Sequence, residues 1–227
     1  MPRRTAGLAE IKIDKISTGN ANGTVTISHV VADFNNRMLV VGVGIHQGTI
    51  SNVTYNGVAL TKIEGIATSN NEAAELWAMV APPVGTANVV VTKSGGDECM
   101  VGVWGLYNCA QTLPTITAEV QGSTSASSLS ITSTARNDWI IDCISGEARL
   151  TCTGSGHISD FNFGIASFQN CGGAHYEALI PGAFSATWSL VSGQRRAHVA
   201  IVVASVGTIT ARSAATRTAS GIRTLST

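Results

Sequence analysis

Val25, Ile27 and His29 alternate with Thr24, Thr26 and Ser28, the period-two pattern of a half-buried strand. Residues 184–190 repeat it, with Phe184, Ala186, Trp188 and Leu190 on one face. Residues 38–45 form a continuous apolar run broken only by Gly42 and Gly44, short enough for a strand covered on both faces. Further strands are predicted over 53–60, 73–80, 89–91, 100–107, 128–132, 139–144, 165–168, 176–180 and 198–206. Asn56-Gly57 marks a tight hairpin, because both positions tolerate positive φ. Pro82-Pro83 ends the strand before it, since neither residue can donate to a ladder. No segment sustains a 3.6-residue apolar period between caps. Residues 70–79 hold good helix formers, among them Glu72, Ala73, Ala74, Glu75 and Leu76, but the strand reading ranks above a short helix there. The pattern predicts an all-β antiparallel sandwich.

The pattern also repeats. Thr24-Val-Thr-Ile-Ser28 resembles Ser128-Leu-Ser-Ile-Thr132, and the run from Arg37 to Val43 resembles that from Asn137 to Cys143. Each half then has a Pro-Gly turn region, a strand ending in Ser-Gly (Ser94-Gly95 and Ser192-Gly193) and a long apolar strand. The offset stays near 100 residues, which predicts a duplicated unit of about six strands with repeats at 22–110 and 126–206. Residues 1–21 read as an N-terminal arm and first strand, and 207–227 as a Ser/Thr-rich basic tail outside the core. The two apolar faces are expected to cover each other within one sandwich. The alternative is two tandem sandwiches linked by the Thr- and Ser-rich stretch 111–127.

Composition supports a folded chain: 44% hydrophobic and 12% charged residues exclude intrinsic disorder. No apolar run approaches the length of a membrane helix, and no apolar stretch follows Arg3-Arg4 as a signal peptide requires, so use without Sec export is expected. Five cysteines cannot all pair within the chain, and a reducing compartment fits them. The net charge of zero is unevenly spread. Residues 10–177 hold all 14 acids but only seven of the 14 bases. Arg3 and Arg4 precede them, and Arg195, Arg196, Arg212, Arg217 and Arg223 follow. An acidic body with basic ends suggests ends that dock on an acidic neighbour, with solvated tails as the plainer reading.

Four segments also carry a family likeness: Arg37-Met-Leu-Val-Val-Gly-Val-Gly44, Val53-Thr-Tyr-Asn-Gly-Val-Ala-Leu-Thr61, Ala74-Glu-Leu-Trp-Ala-Met-Val-Ala-Pro-Pro-Val-Gly-Thr86 and Val89-Val-Val-Thr92. Over residues 22–206 the chain resembles jelly-roll-like β-sandwich proteins of tailed-bacteriophage virions. The resemblance implies a virion component assembled in the host cytoplasm, foremost a capsid decoration (cement) protein. Its implied partners are the major capsid protein or other virion proteins, and further copies of itself in an oligomer or lattice. The alternative is a tail-fibre or receptor-binding module that takes a host glycan. The resemblance carries no catalytic residues and implies no enzyme, and no membrane partner is expected.

Candidate chemistry is sparse. No nucleophile elbow is present, and the five histidines are scattered. Cys152, His157, Cys171 and His175 offer two Cys and two His for a tetrahedral zinc, although the spacing is loose and unrelated loop residues are the plainer reading. Asp97-Glu98 and Asp138/Asp142 lack the dense oxygen ligands of a calcium loop. Gly154-Ser155-Gly156 reads as a turn, without the Lys and Ser or Thr of a phosphate loop. Trp77, Trp104, Trp139 and Trp188 sit in apolar strands and read as core rather than a sugar platform, and Tyr55 is the aromatic to check for exposure. With an acidic body and arginines at the ends, nucleic acid is not expected as a partner. The candidate partner-binding residues are therefore the seven arginines at 3, 4, 195, 196, 212, 217 and 223.

Overall fold

The computed structural model describes residues 9–69, 72–165, 169–191 and 194–207. These residues form strands and no helix. The first half holds β1 (Lys12–Asn22), β2 (Val25–Val31), β3 (Met38–His46), β4 (Thr49–Tyr55), β5 (Val58–Ala59), β6 (Thr61–Ala67), β7 (Glu72–Val80), β8 (Gly85–Ser94) and β9 (Glu98–Tyr107). The second holds β10 (Thr117–Gly122), β11 (Ala126–Ser133), β12 (Asp138–Gly146), β13 (Leu150–Cys152), β14 (His157–Ile165), β15 (Gln169–Ala178), β16 (Gly182–Leu190) and β17 (Arg196–Val203). Residues 72–80 are thus a strand, and β14 ends at Ile165. The rest of the strand expected at 165–168 lies outside the described residues.

The first half forms one sheet in the order β1-β9-β3-β7-β6 and a second in the order β2-β8-β4-β5. Its first and last strands are neighbours and the sheets exchange strands across the barrel, which is the wrapped order of a jelly roll. The second half repeats the order as β10-β17-β12-β15-β14 and β11-β16-β13. Each strand has a counterpart at the same place, except β5. That strand is the return arm of the hairpin at Asn56-Gly57, whose φ values of 50° and 77° satisfy the left-handed requirement of the turn.

The expected single sandwich of about six strands per half is therefore corrected. Each half is already a two-sheet jelly roll of nine or eight strands, and the two stack through their five-stranded sheets into four layers. The cause lies in strands that are apolar on both faces and need two covers. Leu39, Val41, Val43 and Ile45 of β3 pack into the first half's own core, with Val53, Tyr55, Val89 and Val91. Met38 and Val40, on the opposite face, join Trp104, Trp139, Ile141, Cys143, Val199 and Ile201 in a core shared by both halves. Leu129, Ile131, Ile140 and Val202 form the second half's own core, continued by Ile144, Leu150 and Trp188. The stretch 111–127 is no free linker, since β10 lies within it and pairs with β17 at the sheet edge.

The close approach of the halves depends on Phe161. A Cβ on Gly102 of one half would lie 2.1 Å from its ring, and one on Gly173 of the other 2.2 Å. Only hydrogen at both positions lets the ring sit between the sheets, packed against Trp104 with ring centroids 4.8 Å apart and planes tilted by 50°.

In the stack β3 lies against β12, β9 against β15, and β7 against β17. β3 and β12 run the same way, so His46 at the end of one meets Glu147 just past the end of the other. The molecule therefore has two distinct ends. One carries His46, Glu72, Glu147 and Arg195. At the other, both terminal segments leave from a single point: the Asn108 side-chain amide donates to Glu10 O at 2.9 Å, and Val206 N donates to Asn108 O at 3.0 Å.

Candidate functional site

Three features stand out once the layers are in place: a buried polar chain in the second jelly roll, a charged cluster at one end of the stack, and an apolar surface at the other.

Asp142 occupies an inward position of β12, between Ile140 and Ile144, in a strand buried throughout. A carboxylate there needs full compensation. Its Oδ1 accepts Ala174 N–H at 3.1 Å, and its Oδ2 accepts the Trp188 indole N–H and His198 Nε2–H, each at 3.2 Å. His157 Nε2 approaches the same oxygen at 2.7 Å, off line for a hydrogen bond but close enough for an ion pair. The chain continues outward on both sides, from His198 Nδ1 to Ser127 Oγ at 2.9 Å and from His157 Nδ1 to Cys152 Sγ at 3.1 Å. Burial opposes ionisation of both partners, and the pairing wins in each. The two imidazoles pull the Asp142 carboxyl down to about 2, and Asp142 and Cys152 push the His157 imidazole up to about 10.

Cys152, His157 and Asp142 are the residue types of a nucleophilic triad. An imidazole already protonated near neutrality has no free nitrogen to take a proton, and only 2% of the His157 side chain is exposed. The larger groove nearby, about 520 Å³, is lined by Arg149, Thr151, Asn162 and Asn170 rather than by this chain of residues. What the arrangement does is tie β12, β14, β16 and β17 together across the two layers.

The four candidate zinc ligands do not assemble. Cys152 and His157 lie between the layers of the second jelly roll. Cys171 and His175 point through the other face of the same sheet into the core between the halves. There Cys171 Sγ lies 3.8 Å from Cys143 Sγ, and His175 is held by Asp160 at 2.8 Å and stacked on Trp139. Asp138 is likewise structural: it binds Ser133 Oγ, Ala135 N and Ser205 N. All four tryptophans are buried, and so is Tyr55, whose hydroxyl donates to Gly85 O at 2.9 Å. Burial pushes the Cys99 and Cys109 thiols up to about 12, which removes their nucleophilicity.

At the charged end, His46 Nδ1 lies 3.2 Å from Asp97 Oδ2, and its Nε2 lies 4.0 Å from Glu147 Oε1. Glu72 is fully buried, takes the Ser145 hydroxyl on Oε1 and has no partner on Oε2. Burial pushes its carboxyl up to about 8. Arg195 lies 3.3 Å from Glu147 Oε1 within this cluster, with 40% of its side chain exposed. Arg196 is buried, and its guanidinium donates to Thr124 O of its own chain at 3.2 Å, so it is not a surface group for a partner. Arg3, Arg4, Arg212, Arg217 and Arg223 lie outside the described residues.

The opposite end carries exposed apolar side chains on four different loops: Phe34, Val84, Leu113, and the pair Leu179 and Ile180, the last two 59% and 65% exposed. Among the described residues Val191 is the large exposed hydrophobic that sits at the charged end.

No protein-family model, no curated protein and no solved structure matches the chain.

Proposed function

We propose that this protein is a non-catalytic structural component of a tailed-bacteriophage virion, foremost a capsid decoration protein. It attaches through the end from which both termini leave. The carrying observation is the convergence on Asn108. Glu10 and Val206 are both bound to that residue, so the segments bearing Arg3 and Arg4 and those bearing Arg212, Arg217 and Arg223 start from one place, amid exposed Phe34, Leu113 and Leu179. An apolar patch beside the points where two Arg-bearing segments start suits an acidic, partly apolar protein surface. Asp142 and His157, two members of the set that comes nearest to a nucleophilic triad, are by contrast held inside the second jelly roll. The glycan-binding alternative loses its aromatic platform with the burial of the four tryptophans and Tyr55.

The likeness to virion sandwich proteins suggests the kind of particle, and the geometry favours the end that would face it. Mass spectrometry of gradient-purified particles, from the phage or prophage that encodes the chain, tests the assignment. The chain is expected at a copy number comparable to the shell protein. Its absence from such particles contradicts the reading.

A further inference from the structure

We propose that His46, Glu72 and Glu147 form a binding site for a divalent transition-metal ion that clamps the two jelly rolls together at their charged end. One ligand atom from each residue lies within 4.8 Å of the other two. The residues come from three elements: His46 ends β3, Glu72 opens β7 beside it in register, and Glu147 follows β12 of the other half. A bound ion would therefore bridge the two halves.

Two observations point to a ligand rather than to a chance cluster. Glu72 is fully buried, yet its Oε2 has no hydrogen-bond partner. A buried carboxyl oxygen without a partner is costly in such a place, and a cation supplies the missing partner. The orienting groups are also present. Asp97 Oδ2 holds His46 at Nδ1, which leaves the Nε2 lone pair facing the cluster, and Ser145 donates its hydroxyl to Glu72 Oε1. Carboxylate–histidine–metal and hydroxyl–carboxylate–metal chains are the usual second layer of a metal site. Asp97 is itself fixed, because the Lys93 ammonium donates to the backbone carbonyls of Gly95 and Asp97 at 2.5 Å.

The donor set selects the ion class. One imidazole nitrogen with two carboxylates suits Zn²⁺ or Mn²⁺ better than Ca²⁺ or Mg²⁺, which take oxygen ligands almost throughout. The ligand atoms must close by several tenths of an ångström to reach bonding distances of about 2.0–2.2 Å. Arg195 shares Glu147 Oε1 and competes with the ion for it.

Titration of the metal-stripped chain with Zn²⁺, followed calorimetrically and by thermal melting, decides the matter. One Zn²⁺ per chain is expected, with a rise in Tm and no comparable response to Ca²⁺. His46→Ala and Glu147→Gln, both at the periphery of the fold, should weaken binding at least tenfold. Asp97→Asn should weaken it about tenfold, as loss of an orienting group does. Arg195→Ala should bind at least as tightly as the parent. Circular dichroism identifies any variant that fails to fold, and Asp97→Asn then stands in for it because it leaves the ligands intact. Equal Zn²⁺ uptake by parent, His46→Ala and Glu147→Gln overturns the proposal, as does the absence of any Zn²⁺ binding by the parent.

Discussion

Replacing Asp142 by Ala leaves two imidazoles and an indole N–H around an empty space in the second jelly roll. Removing one partner of a buried charge cluster typically costs about 3–5 kcal/mol. Chemical denaturation of Asp142→Ala should show a loss of that size, or leave the chain unfolded at 37 °C. The same cluster sets a pH dependence. His157 titrates at about 10 in the folded chain against 6.5 ordinarily, so its contribution is complete below 6.5 and is lost as pH rises through 10. Asp142 titrates at about 2 against 3.8, so its contribution is complete above 3.8 and is lost as pH falls through 2. The cluster's contribution should therefore hold between pH 4 and 6.5, and thermal midpoints should decline from there toward 10, with buried Glu72 adding to the fall up to about pH 8. A folded Asp142→Asn variant should lack most of that decline.

Bulges hid some of the strands in the sequence. β2, β11 and β16 alternate without interruption and are plain in the chain. β6 and β14 are sheet edges with bulges between Lys62 and Glu64 and between Ser159 and Phe161. A bulge resets the alternation of inward and outward side chains, which erases the period-two signal. The doubly covered strands were legible as apolar runs, but not what would cover them, and so one sandwich was expected where four layers stand. The polar clusters were hidden for a similar reason. Asp142 stands out as a lone acid in Trp139-Ile-Ile-Asp-Cys-Ile144, a signal of a buried, compensated charge. Its partners His157, Trp188 and His198 are brought to it only by the sheet order. His46, Glu72 and Glu147 lie farther apart still. The stack itself has a test at this scale. Gly102→Ala forces a methyl against the Phe161 ring, so it should destabilise by about 1–3 kcal/mol in a denaturant titration, as overpacking does.

The whole molecule is a duplicated jelly roll whose two ends differ in character. Its central sheets are buried on both faces, so its outer sheets and its ends are what remain to meet other molecules. The charged end draws residues from both halves around Glu147, and the other brings Glu10 and Val206 to Asn108 among the apolar loops. The attachment proposed here uses the second end and calls on no side chain of the core. Because residues up to Val206 are tied to the body, a chain ending at Gly207 should fold with an unchanged melting temperature. The direct test of the attachment end is the occupancy of this truncated chain on particles that lack the endogenous copy. Measured by quantitative mass spectrometry beside the full chain, occupancy is expected to drop severalfold, and more steeply as ionic strength rises. Undiminished occupancy of the folded, truncated chain would contradict attachment through that end.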